Sequence, residues 1–395
     1  MDSAGISALL TPEGWALLEA MPPYEEAQAL SLGQRLRDDG VDPALVAAVL
    51  TQSRLRAKAH AKFGPFADGM LFTPDGLEQA TRLEVAARHA QRFASAGITT
   101  VADLGCGIGG DAMALAGLDL EVLAVERDEV TASVATVNLR HWPQARVRHE
   151  DATKTDLDGV GGAFLDPARR TATGRRVLDP RKADPPLSFI EALAARLPAV
   201  GAKVAPGIDH RLIPEGAEAQ WISVDGDVVE AGLWFGLLTG DAGSRTALVL
   251  RTGDDATSVR VDARDMPKPD AGPLGSYLYE PDGAVIRAGL VGQVAAAVEG
   301  RLIDPSIAYV TADRPVSTPL ATGYVVEDVL PFGIKRLRTY LRDRGVGRVT
   351  IKKRGSAVEP DQLRRQLRLQ GKDEATLVLT RIAGQQSVVV VRPMR

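Results

Sequence analysis

Residues 99–116, TTVADLGCGIGGDAMALA, read as a strand that runs through a glycine-rich turn straight into a helix. Glycine is needed in such a turn because it adopts left-handed dihedrals at little steric cost and lets the backbone approach a ligand closely. The helix that follows offers its unpaired N–H groups at the same place. A strand joined to a helix in this way is half of a βαβ unit, which commits the surrounding chain to a parallel sheet. The neighbouring sequence agrees. Between Thr99 and about Gly240, short apolar runs (TTVADLG, LEVLAVER, VRHED, GAFLDPAR, AKVAPGID) alternate with helical patterns (DAMALAGL, EVTASVATVNLRHW, SFIEALAARLP). Runs this apolar suit strands covered on both faces. The next stretch, EAQWISVDGDVVEAGLWFGLL, reads as two strands joined by a turn at Asp225-Gly226-Asp227, so the sheet finishes in an antiparallel hairpin.

The flanks differ in pattern. Residues 1–95 form an N-terminal helical domain, with apolar positions at helical spacing and with Thr11, Asp42 and Thr73 placed as N-caps. Pro43 then takes the first helical position, and Arg54, Arg56 and Lys58 fall near the end of that helix, where cations suit its dipole. Phe66 and Phe72 read as core aromatics, while Thr73 stands just ahead of the α/β region (96–240). Turn-rich sequence at 241–275 reads as a linker, 276–330 as a small ferredoxin-like α+β unit, and 331–395 as a further, basic unit.

Composition excludes several classes. The formal net charge of -4 rules out a globally basic nucleic-acid binder, so any basic surface is local. No apolar run approaches the roughly 18 residues of a membrane span, and the first residues lack a basic leader with a long apolar core, so the reading is cytoplasmic. The single cysteine, Cys106, cannot form an internal disulfide or a cysteine-based zinc cluster, and no metal is expected. Nothing in the pattern selects an oligomeric state.

Taken alone, Gly105, Gly107 and Gly110 also match the dinucleotide pattern G-x-G-x-x-G, with Glu126 in place to bind a ribose. Three neighbours argue otherwise. Asp103 precedes the first glycine, where a carboxylate opposes a pyrophosphate but suits a ligand bearing an ammonium and a sulfonium. Asp151 ends the third strand, where it can accept from an adenine amino group, and Asp166-Pro167 ends the fourth. With the closing hairpin, this combination resembles the class I, Rossmann-like methyltransferases. The resemblance implies a sheet ordered 3-2-1-4-5-7-6 and S-adenosyl-L-methionine as cofactor. It further implies Gly105, Gly107 and Gly109 around the methionine end, Asp103 beside its amine, Glu126 on the ribose hydroxyls, and Asp151 with Ala152 at the adenine.

Base amino-methyltransferases commonly hold the acceptor amine in an [DN]-P-P-[YFW] turn. Here the corresponding run is Leu165-Asp166-Pro167-Ala168-Arg169-Arg170, which keeps the acid and the first proline but not the aromatic ring. Asp166 and Pro167 can still orient an amine, and Arg169 or Arg170 can stack on a base or bind phosphate. A second run, Asp184-Pro185-Pro186-Leu187, is closer in letters but follows VLDPRKA rather than a strand, and reads as the start of a helix. Methylation at a pyrimidine C5 usually needs a cysteine near the fourth strand; Cys106 lies in the glycine turn instead, which leaves N-methylation.

Residues 62–86 (KFGPFADGMLFTPDGLEQATRLEVA), 165–180 (LDPARRTATGRRVLDP) and 277–291 (YLYEPDGAVIRAGLV) together resemble a bacterial family of class I methyltransferases with a C-terminal THUMP-like domain, distantly similar to the trimethylguanosine synthase group. That resemblance implies an RNA partner, tRNA or rRNA. Independently, residues 331–372 hold thirteen Lys/Arg against three acids, a local excess of ten positive charges. Such a concentration attracts a phosphate backbone. Lys335, Arg336, Arg338 and Arg342 on an expected helix, and Lys352, Lys353 and Arg354 on an expected strand and turn, are the candidate contacts. Methylation of a small molecule or protein, and non-catalytic cofactor and RNA binding, are the alternative readings.

Overall fold

A computed structural model describes residues 3–167, 179–240, 243–253, 256–262 and 269–394. By internal contacts the chain divides into two compact units, Met1–Glu218 with Gly232–Ala242, and Ala219–Ala231 with Gly243–Arg395.

The first unit opens with helices α1 (Ser3–Leu9), α2 (Pro12–Glu19), α3 (Glu26–Asp38), α4 (Pro43–Phe63), α5 (Pro74–Gln79) and α6 (Leu83–Ser95). The three expected caps are present. Thr11 accepts from Gly14 N, Asp42 from Ala44 N and Leu45 N, and Thr73 from Gly76 N. Helix α4 runs five residues beyond Lys58, so Arg56 lies mid-helix rather than at a solvated end. Arg56 is buried, with Nε donating to the Met70 carbonyl at 2.9 Å. Phe72 is core, as expected, but Phe66 is half exposed on a short 3-10 turn.

The α/β elements follow in order: β1 (Thr100–Leu104), α7 (Gly110–Ala116), β2 (Glu121–Glu126), α8 (Glu129–Asn138), β3 (Ala145–His149), β4 (Gly162–Leu165), α9 (Leu187–Ala194), β5 (Ala199–Val204), β6 (Glu218–Val224) and β7 (Asp227–Gly236). Strands β8 (Arg245–Arg251) and β9 (Thr257–Asp262) come next. The sheet order is β3-β2-β1-β4-β5-β7-β6-β8-β9. This is the expected 3-2-1-4-5-7-6 order with two added strands. The linker reading of 241–275 is therefore corrected: β8 pairs parallel with β6 and antiparallel with β9. The turn signals had masked two short strands between them. The hairpin turn is Asp225-Gly226, both at positive φ, which is the primed geometry that matches strand twist.

Strand β1 is central, hydrogen-bonded in parallel to β2 and β4, so its side chains meet protein on both faces. Helix α6 places Ala86, Ala90 and Phe93 in the core beside Val101, Phe164 and Trp234. The Phe164 and Trp234 rings stack at 6.2 Å between centroids.

The second unit carries another sheet. Its elements are β10 (Tyr277–Pro281), α10 (Gly283–Ala288), α11 (Val291–Ala297), β11 (Arg301–Leu302), β12 (Val310–Ala312), β13 (Ala321–Pro331), α12 (Ile334–Asp343), β14 (Val346–Lys353), α13 (Pro360–Leu367), β15 (Asp373–Ile382) and β16 (Gln385–Pro393). Its order is β11-β12-β10-β13-β16-β15-β14. The stretches 276–330 and 331–395, read from sequence as separate units, thus share one sheet through the β13–β16 pairing. Leu377, Leu379, Val388 and Val390 pack with Leu337 and Leu341 of α12 and Leu363 and Leu367 of α13. Val378, Val389 and Val391 pack into a second cluster with Tyr309 and Leu278. Covering on both faces explains the unbroken valine run of β16.

No helix among the described residues is long and apolar enough to cross a membrane.

Candidate active site

The carboxyl ends of β1, β2 and β4, with the turn after β3, converge on a pocket of about 330 Å³ in the first unit. This is the edge of an open α/β sheet where ligands bind. Gly105, Gly107 and Gly109 all have φ between +56° and +87°, a region where side chains are strained, and a Cβ on Gly105 would stand 3.4 Å from the Asp166 carbonyl oxygen.

Asp103 is 1% exposed. Burial, with the charges of Asp111 and Asp166 nearby, pushes its carboxyl well above the usual range. Its Oδ2 is buried with no hydrogen-bond partner among the described residues. A buried acceptor left this way is costly, and an ammonium group would offset that cost. Glu126 has one oxygen on Gly107 N (3.1 Å) and the other on Asp128 N (2.9 Å), which sets the carboxylate squarely at the pocket wall. Asp151 accepts from the Thr153 hydroxyl and N–H at 2.7 and 2.9 Å, which holds its carboxyl below the usual range. Ala152 lines the same wall.

Asp166 and Pro167 line the pocket directly after β4, whereas Arg169 and Arg170 lie outside the described residues. The Cys106 thiol is buried, and burial, with the charges of Asp103 and Glu126, pushes it well up. It packs within the glycine turn.

Several residues at or directly behind the pocket were not anticipated. Lys203, in the otherwise apolar strand β5, donates to Asp166 Oδ2 at 2.8 Å and to Thr81 Oγ1 at 3.0 Å. A lysine within a run such as AVGAKV was the available signal. Burial alone would raise the Asp111 carboxyl, but the hydrogen bond and charge of His89, with Lys203 and the Thr81 hydroxyl, take it below its ordinary value. Asp184 and Pro185 also line the pocket, and Asp184 pairs with Arg127 at 2.5 Å. The motif does precede helix α9, as read, yet it reaches the site as well. From the helical region, Thr73, Asp75, Gln79 and Thr81 contribute to the lining. Lys62 secures that segment by donating to the carbonyls of Leu77, Glu78 and Ala80 at 2.7–2.8 Å.

The candidate contacts of the basic segment divide. Lys352 pairs with Glu280 and Lys353 with Glu359, each at 2.6 Å, while Arg354 sits 4.0 Å from Glu280 and over the Tyr309 ring. Arg338 donates to the Gln366 carbonyl and Arg342 pairs with Asp343. Lys335 and Arg336 are exposed and have no partner among the described residues, and the same holds for Arg365, Arg368 and Lys372, which the sequence reading did not single out as contacts.

The sheet order is that of class I, Rossmann-like methyltransferases. Comparison with known proteins agrees. Residues 321–393 match the model of the THUMP domain-like family, and residues 2–59 match a domain of unknown function, DUF8688. Uncharacterized S-adenosylmethionine-dependent methyltransferases of two Mycobacterium tuberculosis strains, CDC 1551 / Oshkosh and ATCC 25618 / H37Rv, are each 36% identical over 363 residues, spanning 86% of this chain and 95% of theirs. A crystal structure of a Porphyromonas gingivalis W83 protein assigned as a methyltransferase superposes with a TM-score of 0.73, at 20% identity, covering 95% of this chain and 100% of that one. The chain belongs to this family of S-adenosylmethionine-dependent methyltransferases with a THUMP-like C-terminal region.

Proposed function

We propose that this methyltransferase acts on RNA, tRNA or rRNA, transferring the methyl group to a base nitrogen by direct in-line displacement. The observation that carries the RNA reading is a set of five exposed cations, Lys335, Arg336, Arg365, Arg368 and Lys372, unpaired among the described residues and set within the segment similar to THUMP domains. Unpaired cations can release counterions on meeting phosphate, whereas paired ones must first lose a partner.

The bound cofactor supplies an electrophilic methyl on a sulfonium. In this reading Asp103 takes the methionine ammonium, Glu126 the ribose hydroxyls, and Asp151 with the Ala152 N–H the adenine. Asp166 accepts a hydrogen bond from the acceptor amine, which draws the nitrogen lone pair out of conjugation and stabilises the positive charge that develops there, and the proton the methylated nitrogen then sheds passes to solvent. Orientation supplies most of the remainder, since a well-placed nucleophile can gain roughly 7–11 kcal/mol over a bimolecular encounter.

Comparative nucleoside mass spectrometry of RNA from cells with and without the protein tests this reading. One methylated base nucleoside absent from the deletion strain is expected. Unchanged RNA nucleosides, with a methyl mark lost from a protein or metabolite, would replace it with the alternative substrate class.

A further inference from the structure

Lys203 stands opposite Asp166 because the β4–β5 register pairs Leu165 with Ala202 and leaves the next two residues side by side. It is 4% exposed, while the Asp166 side chain is a quarter exposed to the pocket. Taking an ammonium out of water to this depth is costly, and Asp166, the Thr81 hydroxyl and the charge of Asp111 offset that cost together. Its geometry is specific. Lys203 is anchored at a second point by Thr81, itself 5% exposed, and Thr81 also bonds to the buried Asp111. The ammonium therefore occupies Oδ2 of Asp166, and no described residue donates to Oδ1.

We propose that Lys203 is a positioning residue for methyl transfer: held by Thr81 behind the pocket, it binds Oδ2 of Asp166, presents Oδ1 to the acceptor amine, and forms one neutral pair with Asp166, which lines the wall. The proposal rests on the reading of Asp166 as the acceptor-side carboxylate. It makes the segment between α5 and α6, which supplies Thr81, part of the catalytic centre. The charge balance also has a consequence for the cofactor, because the substrate form carries a sulfonium charge that its demethylated product lacks.

Calorimetric titration of the full chain with S-adenosylmethionine and with S-adenosylhomocysteine tests the pair. Lys203→Met leaves a bare carboxylate and raises the affinity ratio in favour of the sulfonium form, roughly tenfold for an uncompensated charge within about 12 Å at an effective dielectric of 20. Asp166→Asn lowers the ratio, and the double variant returns it to the wild-type value. A folded Lys203→Met whose ratio is unchanged overturns the proposal, because loss of an ammonium that neutralises Asp166 beside the cofactor must favour the sulfonium form. Thr81→Val keeps every charge, so its ratio stays within twofold while methyl transfer falls fivefold or more; unaltered transfer would equally overturn the positioning role. Should wild-type protein leave RNA unlabelled, the RNA reading falls, and the affinity ratios still decide the assignment of Lys203.

Discussion

Asn138, the last residue of α8, accepts the Leu71 N–H at 2.8 Å and returns its own amide N–H to the Leu71 carbonyl at 3.0 Å. A further bond to the Ile108 carbonyl at 2.9 Å ties the glycine turn to the same side chain. Gln52 of α4 repeats the pattern on Phe72, at 3.0 Å for the N–H and 2.8 Å for the carbonyl. Two amides thus stand in for the neighbouring strands that Leu71-Phe72 lacks, and Asn138 fastens the helical region to the cofactor turn. Asn138→Ala orphans three buried backbone groups. Each costs about 1–3 kcal/mol when unsatisfied, and because such losses overlap we expect a total near 3 kcal/mol by chemical denaturation. A loss below about 1 kcal/mol would show that the clamp is dispensable.

Asp103 gives cofactor binding a proton signature. Its carboxyl is held well above the usual range by burial and then by the charges of Asp111 and Asp166. Arrival of an ammonium stabilises the ionised form, so binding drives the proton off. Calorimetry in buffers of different ionisation enthalpy should show proton release on binding S-adenosylmethionine, with affinity rising as pH increases. Asp103→Asn abolishes the release. A wild-type titration without proton exchange at any pH would remove Asp103 from the ammonium site.

Lys62 sets a stability trend at high pH. Burial, reinforced by the charge of Lys203, lowers its amine to about 8. Between about pH 8 and its unfolded value of roughly 10.4, the unfolded chain binds more protons at this site than the folded one, so stability rises with pH across that window. Below pH 8 the charged form is retained in both states and the trend vanishes. Above it, the neutral amine has two N–H donors for the three carbonyls of Leu77, Glu78 and Ala80. Unfolding free energies measured from pH 7 to 10 should show wild type gaining stability relative to Lys62→Met as pH rises. Parallel curves would show that Lys62 titrates like a free lysine.

The RNA reading assigns different roles to cations of the same segment. Changing Lys335, Arg336, Arg365 and Arg368 to glutamine should weaken RNA binding and reduce the slope of log affinity against log salt by about 3, near 0.7–0.9 for each phosphate no longer neutralised. Lys352→Gln, which breaks the pair with Glu280, should leave the slope within about 1 of wild type. Equal reductions from both variants would mean that pairing within the protein does not sort these residues.

Much of the donor side was legible in the sequence because it is local. A glycine turn and acids at successive strand ends are read from short windows, and Asp103, Glu126, Asp151 and Asp166 all reach one pocket. The acceptor side depends on residues far apart in the chain. Thr81 and Lys203 are separated by 122 residues, and nothing in either window announces the other. Asp184-Pro185 reads locally as a helix start, yet the return of the chain brings it to the same wall. Strands β8 and β9 were hidden by the turn residues between and around them, which resemble a linker in composition. The basic segment was evident by count, but which cations are free depends on acids as remote as Glu280.

Transfer of labelled methyl from S-adenosylmethionine into RNA by the purified protein, compared with Asp166→Ala, tests the central claim most directly. The expected result is label in a base of RNA from a strain lacking the protein, reduced about a hundredfold or more in Asp166→Ala while cofactor affinity changes less than tenfold. Label confined to protein or small molecules, or undiminished transfer by Asp166→Ala, would contradict it.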